Sequence, residues 1–186
     1  NALWTGVRLR DVLDAAGVRP GAVEVRVAGL DRPPPGAPWF EKSLALDHAR
    51  DGEVMIAYAM NGEALPLLNG FPLRLIVPGW YSTYWIKALD RIEVLTAPDA
   101  GYWMAKAYRI PTTPGADVPP GAKDFPTVPI NAMVPRALIT SHAGEAKVVA
   151  DDPFYVRGVA MGGDKGVARV DLSMDAGRTW HPARLG

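Results

Sequence analysis

The chain has 186 residues, 20 Lys and Arg against 20 Asp and Glu, 48% hydrophobic residues and no cysteine. This length can bury one sizeable core or two small ones, and the apolar content is that of a globular chain. The charge balance provides no long-range field for nucleic acid or an anionic membrane, no disulfide or thiolate site is possible within these residues, and the apolar runs are strand-sized, too short for a membrane span.

In chain order, residues 5–17 carry a helix pattern. Thr5 is placed to cap it, Val7, Val12, Leu13 and Ala16 make an apolar face, and Gly17 can end it. "VEVRV" at 23–27 alternates as a half-buried strand. "GLDRPPPGAPW" is a loop, because consecutive prolines cannot donate to a ladder. "SLALDHARDG" reads as one or two helical turns capped by Ser43. "VMIAYAMNGEALPLL" is a hairpin, with Asn61-Gly62 suited to a type I′ turn. "FPLRLIVP" and "DRIEVL" follow as strands.

Residues 111–129 hold six prolines and two glycines and read as an extended linker. Beyond them lie only short strand patterns: "ALITS", "FYVRGVAM", "VARVDLSM" and "TWHPARL". Such spacing suggests the front portion of an antiparallel β-sandwich, with a Gly-containing turn in "MDAGRTW". The expected class is therefore α+β. A mixed α/β domain occupies 1–110, a linker 111–129, and part of an immunoglobulin-like sandwich 130–186. The chain opens at Asn1 on a helix pattern and stops at Gly186 just after a strand pattern, so it is expected to be an internal piece of a longer protein. No signal peptide is visible in it.

"GFPLRLIVPGWYSTYWIK", residues 70–87, is the segment richest in chemistry. A buried strand breaks at Pro78-Gly79 into Trp80, Tyr81, Ser82, Thr83, Tyr84 and Trp85, with Arg74 and Lys87 at its flanks. A guanidinium fork, an ammonium and two hydroxyls suit an anionic ligand. The plainer readings are that the aromatics pack and that Arg74 is half of a buried ion pair, since a charge in so apolar a strand needs compensation. Asp31, directly after a strand, can accept hydrogen bonds from ligand amino groups or simply cap an Asx-turn. Tyr108, between Lys106 and Arg109, can donate to an oxyanion or shuttle a proton, or be a boundary aromatic. Glu41, Asp47 and His48 form no convincing triad. With His142 and His181, the three histidines are too scattered for a zinc site, and both of the latter are expected on the surface.

"NALWTGVRLRDVLDAAGV", "AYAMNGEALP", "GFPLRLIVPGWYSTYWIKALDRIEVL" and "GYWMAKAYRIP" together resemble the molybdopterin-binding domain of the sulfite oxidase family, most of all its bacterial sulfite dehydrogenase branch. "VRGVAMGGDKGVARVDLSMDAGRTW" resembles the opening of that family's molybdenum-cofactor dimerisation domain. The resemblance covers essentially the whole chain. It implies a molybdenum–molybdopterin cofactor gripped by Asp31, Arg74 of the G-[FY]-P-x-R motif, Asn69 (often a histidine in animal members), and the wrapping segment Trp85, Ile86 and Lys87. The family's active-site tyrosine corresponds to Tyr108. No metal ligand is assigned within the chain. The family's ligand is a cysteine in a "CAGN"-like motif, expected upstream of Asn1. Met161 stands where many relatives have tryptophan. Ala176 replaces a turn glycine, a change expected to be mild because Gly177 still allows a positive φ.

The implied activity is oxidation of sulfite to sulfate, with electrons passed to a haem group or cytochrome c held by a partner. The resemblance also implies a homodimer in the periplasm, without nucleic-acid or membrane partners. Two other readings stay open: another molybdopterin oxidoreductase such as a nitrate reductase, and a non-catalytic dimerising homologue without the metal.

Overall fold

A computed structural model describes residues 2–142, 144, 147, 149 and 153–186. The chain divides into two compact units, residues 1–131 and 132–186.

In the first unit, β1 (Trp4–Arg8) leads directly into α1 (Leu9–Ala16). The expected helix therefore starts four residues late, and Thr5 caps nothing. Trp4, Thr5 and Val7 suit a strand, and tertiary pairing overrides helical spacing there. Gly6 lies against β4 (Met55–Met60) so closely that a Cβ would stand 2.1 Å from the Ile56 carbonyl oxygen. Gly17 ends α1 in the left-handed conformation, as anticipated.

β2 (Glu24–Gly29) pairs antiparallel with β3 (Glu41–Ala45) on one side and, further along the chain, with β7 (Leu89–Leu95) on the other. The second correction falls on β3. "SLA" is strand, not helix, and α2 is only Leu46–Ala49, with no side chain capping it. Ser43 is buried, and its hydroxyl donates to Asp99 Oδ2 at 2.6 Å.

β4 is the centre of a second sheet. It pairs antiparallel with β1, with β5 (Glu63–Ala64) and with β6 (Arg74–Ile76). Asn61 and Gly62 turn the β4–β5 hairpin with φ of 55° and 85°, the type I′ signature. Leu9 and Leu13 from α1, Val25 and Val27 from β2, Leu44 from β3, Leu75 from β6, Tyr84 from the 3-10 turn Ser82–Tyr84, and Val54, Val77 and Ile86 from loops share one core.

α3 (Tyr102–Ala105) follows β7, and then β8 (Arg109–Pro111) pairs antiparallel with β9 (Thr127–Pro129). The two ends of the proline-rich stretch are thus joined. Arg109 binds the junction, donating from Nε to Thr127 Oγ1 at 2.8 Å and from a terminal nitrogen to the Met104 carbonyl at 2.9 Å.

The second unit contains two antiparallel pairs among its described residues. These are β10 (Arg136–Ile139) with β11 (Gly158–Met161), and β12 (Asp171–Leu172) with β13 (His181–Pro182). Short paired strands of this kind fit part of a β-sandwich. His142 and His181 are exposed, as expected. In the turn before β13, Asp175 accepts the backbone N–H groups of Thr179 and Arg178 and the Thr179 hydroxyl. Those bonds, from Thr179 above all, hold its carboxyl down to about 2. Ala176 itself has φ 59°, beside Gly177 at 85°. The substitution is therefore not excused by its neighbour, because an L-residue occupies the left-handed region.

Candidate functional site

The site is built where the end of β2 meets the segment leaving the core. Gly29 sits at a register shift between β2 and β7. A Cβ there would stand 2.4 Å from the Lys87 carbonyl oxygen, so only glycine lets residues 85–88 lie against the strand end. Gly70, at φ 109°, approaches the same segment, with an added Cβ falling 3.0 Å from Lys87 Cα. Backbone bonds fix it on both sides: Leu30 N donates to Ala88 O at 3.0 Å, and Ala88 N donates to Gly70 O at 3.2 Å. Trp85 (φ −83°, ψ 65°) is the centre of an inverse γ-turn closed by Ile86 N to Tyr84 O at 2.9 Å. Its indole N–H donates to the Val77 carbonyl at 2.8 Å.

A cleft of about 250 Å³ opens over this segment, lined by Gly29, Asp31, Phe40, Ser82, Thr83, Trp85, Ile86, Lys87 and Tyr108. Five of the sequence-predicted residues therefore share one cleft: Asp31, Trp85, Ile86, Lys87 and Tyr108. Asp31 is exposed and its carboxylate takes no hydrogen bond from the described residues, so it caps no Asx-turn. Lys87 is exposed and donates from Nζ to the Leu68 carbonyl at 2.8 Å. Tyr108 is 45% exposed and has φ 48°. A bulky residue in the left-handed region is strained, and strain of this kind collects at functional sites. Its carbonyl accepts Ile130 N at 2.7 Å, and its ring meets Phe40 and Trp103.

Arg74 and Asn69 do not line that cleft. They adjoin it through Trp85 and the turn 67–69. Arg74 donates to the Asn69 carbonyl at 3.0 Å, and its guanidinium carbon lies 5.3 Å from the Trp4 ring centroid and 5.8 Å from that of Trp85. No carboxylate of the described residues pairs with it, so among them the ion-pair reading of this strand arginine finds no partner. Burial pulls its guanidinium below the ordinary value, and its buried Nε has no partner.

The aromatic run divides as well. Tyr84 is core: its hydroxyl donates to the Ile130 carbonyl, and burial, helped by the Glu24 charge, pushes its pKa up. Trp80 stacks on His48 at 4.4 Å between centroids, and His48 pairs through Nδ1 with Asp51 at 2.8 Å. Neither contact makes a catalytic arrangement.

Sequence reasoning missed Gly29, Phe40 and Lys42. Once residues 41–45 are strand, Phe40, Lys42 and Leu44 alternate onto one face. That pattern was hidden by the helical reading. Lys42 is fully buried, and its Nζ donates to the Trp103 carbonyl at 2.9 Å. Burial, opposed by the Asp99 charge, pulls its pKa down to about 8.

Two family models match this chain. "Oxidoreductase molybdopterin binding domain" covers residues 1–103 and "Mo-co oxidoreductase dimerisation domain" covers residues 127–186. The chain belongs to the family of oxidoreductases with a molybdopterin binding domain. Mitochondrial sulfite oxidase of Rattus norvegicus is 35% identical over 189 residues, which are 99% of this chain and 34% of the rat protein. That of Drosophila melanogaster is 38% identical over 194 residues, 100% of this chain and 33% of the fly protein. A nitrate reductase [NADH] of Brassica napus is 33% identical, over 99% of this chain and 22% of the plant protein. The solved sulfane dehydrogenase SoxCD from Paracoccus pantotrophus superposes with a TM-score of 0.79 at 28% identity, covering 99% of this chain and 44% of that one. The chain thus spans about a third of the length of the animal sulfite oxidases it matches.

The family's cofactor is molybdopterin with molybdenum, and the donor set here fits it. Among the described residues, the Thr83 hydroxyl oxygen at the cleft and Arg74 Nε, of the guanidinium that lies against the Trp85 ring, are buried without a hydrogen-bond partner. Both are unmet donors suited to phosphate oxygens, and Lys87, whose Nζ already donates to the Leu68 carbonyl, adds an exposed ammonium at the cleft. Asp31 is an unmet acceptor suited to pterin amino groups.

Proposed function

We propose that this chain is the pterin-holding and subunit-pairing portion of a molybdenum enzyme that oxidises sulfite to sulfate. The observation that carries the reading is the gathering of Asp31, Thr83, Lys87 and Tyr108 around one cleft, with hydrogen-bonding capacity left over at Asp31 and Thr83. The animal relatives named above are sulfite oxidases. Overall, sulfite and water become sulfate, two protons and two electrons. The bound cofactor supplies the two-electron chemistry, and a haem group or cytochrome c takes the electrons one at a time.

The residues of this chain bind and orient. Asp31 would accept hydrogen bonds from the pterin ring. Lys87 and the Thr83 hydroxyl would bind phosphate oxygens. Arg74, held by Trp4, Trp85 and Asn69, would present its unpaired Nε to the same group. Tyr108 would hold or move a proton at the substrate oxyanion through its phenol oxygen. The second unit, matched by the dimerisation model, would pair two copies of the protein.

The test is Arg74→Met in the full-length protein, expected to cut bound molybdenum and pterin at least tenfold and abolish sulfite-dependent cytochrome c reduction. Full cofactor content in that variant sinks the assignment. Sulfane sulfur is the second reading, favoured by the likeness to the Paracoccus enzyme, and running it as a competing substrate in the same assay separates the two.

A further inference from the structure

Lys42 is the only fully buried charged side chain among the described residues, and it lies directly behind the cleft. Phe40, two positions earlier on the same face, lines that cleft. The Lys42 ammonium is 4.6 Å from the Tyr84 ring centroid and 5.8 Å from that of Tyr108. Its hydrogen bond goes to Trp103 O, in the last turn of α3. The next carbonyl, Met104 O, is taken by Arg109. Two cations therefore clamp the C-terminal end of α3, and the strap they clamp is the one on which Tyr108 adopts its left-handed backbone.

Burying an ammonium is costly, and an apolar residue of similar length would fill the space with less penalty. Packing therefore accounts for the length of this side chain but not for its charge. We propose that Lys42 is a positioning residue for the reaction in the cleft, fixing the strap that carries Tyr108 through its bond to the Trp103 carbonyl and holding a cation behind the Tyr108 ring. This rests on reading Tyr108 as the group that handles the substrate's proton.

The groups facing the ammonium are few. Tyr84 faces it from the 82–84 turn, Tyr108 and the Trp103 carbonyl from the strap, and Asp99 acts on it from the segment after β7. Asp99 is engaged by the Ser43 hydroxyl and Gly101 N, and Arg26 stands 3.8 Å away. Because Lys42 loses its proton near pH 8, the charge behind the Tyr108 ring is present at neutral pH and withdrawn above it.

The experiment uses the full-length, cofactor-loaded protein labelled at tyrosine with 13Cζ, the Tyr108 resonance being assigned by its absence in Tyr108→Phe. In the wild type the resonance moves with an inflection near pH 8 as Lys42 deprotonates. In Lys42→Met and Lys42→Arg that inflection is gone, because neither side chain titrates there. At pH 7, Lys42→Met lowers kcat about tenfold with KM changed less than threefold and molybdenum content unchanged, and Lys42→Arg restores kcat. A Tyr108 resonance with no inflection near pH 8 in the wild type overturns the proposal, even where a variant fails to fold. So does an unchanged kcat in a folded Lys42→Met. A wild type that shows the inflection but oxidises no sulfite supports the coupling and counts against the sulfite reading alone.

Discussion

The two compact units differ in how they treat apolar side chains. In the first, Leu9, Val25, Val27, Leu44, Leu75 and Val77 have no exposed surface at all. In the second, no described residue is buried, and Leu138, Ile139, Val159 and Trp180 are each more than half exposed. Burial of apolar area is the main favourable term in folding, so the first unit carries the stability and can hold a cleft in fixed geometry. The second holds its strands by short ladders and by local turns such as the one around Asp175. The contrast places precise chemistry in the first unit and leaves the second with surface to offer.

The strongest way to break that contrast is to make one substitution twice. Leu44→Ala should cost about 3 kcal/mol by cavity formation, while Leu138→Ala should cost less than about 0.5 kcal/mol, both read from urea unfolding of the 186-residue chain. Equal costs would mean that the second unit has a core of its own.

Nearly as large is a pH effect from the first unit's buried cation. Lys42 has a folded pKa of about 8 against an ordinary 10.5, so between those values the unfolded chain binds the extra proton more tightly. Stability therefore rises with pH across that window, by up to about 3 kcal/mol from this group. Unfolding titrations of the wild type and Lys42→Met, taken as a difference so that other groups cancel, should show the rise in the wild type only. A flat difference curve would argue that the ammonium is not desolvated.

Gly29→Ala comes next. Its Cβ must push the Lys87 carbonyl away, costing about 1–3 kcal/mol. It should also lower molybdopterin content severalfold in the full-length protein, measured by pterin fluorescence after release. Normal content would mean that the 85–88 segment tolerates displacement. The smallest effect belongs to the second unit: Ala176→Gly should stabilise by about 0.5–1 kcal/mol by removing a left-handed alanine, seen as a raised Tm. A lowered Tm there would show that Ala176 packs in a way its backbone angle does not reveal.

What the sequence disclosed and what it hid follow from the range of each signal. Asn61-Gly62 announced its hairpin because a type I′ turn is decided by two adjacent residues. The alternation of Val25 and Val27 announced β2 for the same local reason. Thr5 and Ser43 misled because each precedes a genuine helix by a few residues, and only pairing with β4 and β2 makes their surroundings strand. In the site, Asp31, Lys87 and Tyr108 stood out as polar groups in odd places. Gly29 did not, because its role depends on a carbonyl far along the chain. Lys42 did not, because its burial becomes visible only once β3 is extended.

The β8–β9 ladder has a consequence for how this protein tolerates change. Residues 112–126 form a loop whose two ends are already tied together beside Arg109. Tyr108 is anchored at that tie and not by anything further around the loop. Lengthening such a closed loop is cheap, with a doubling costing only about 0.6 kcal/mol in closure entropy. The prolines of this stretch can therefore be rearranged, extended or fused to another sequence while the tyrosine before them keeps its place.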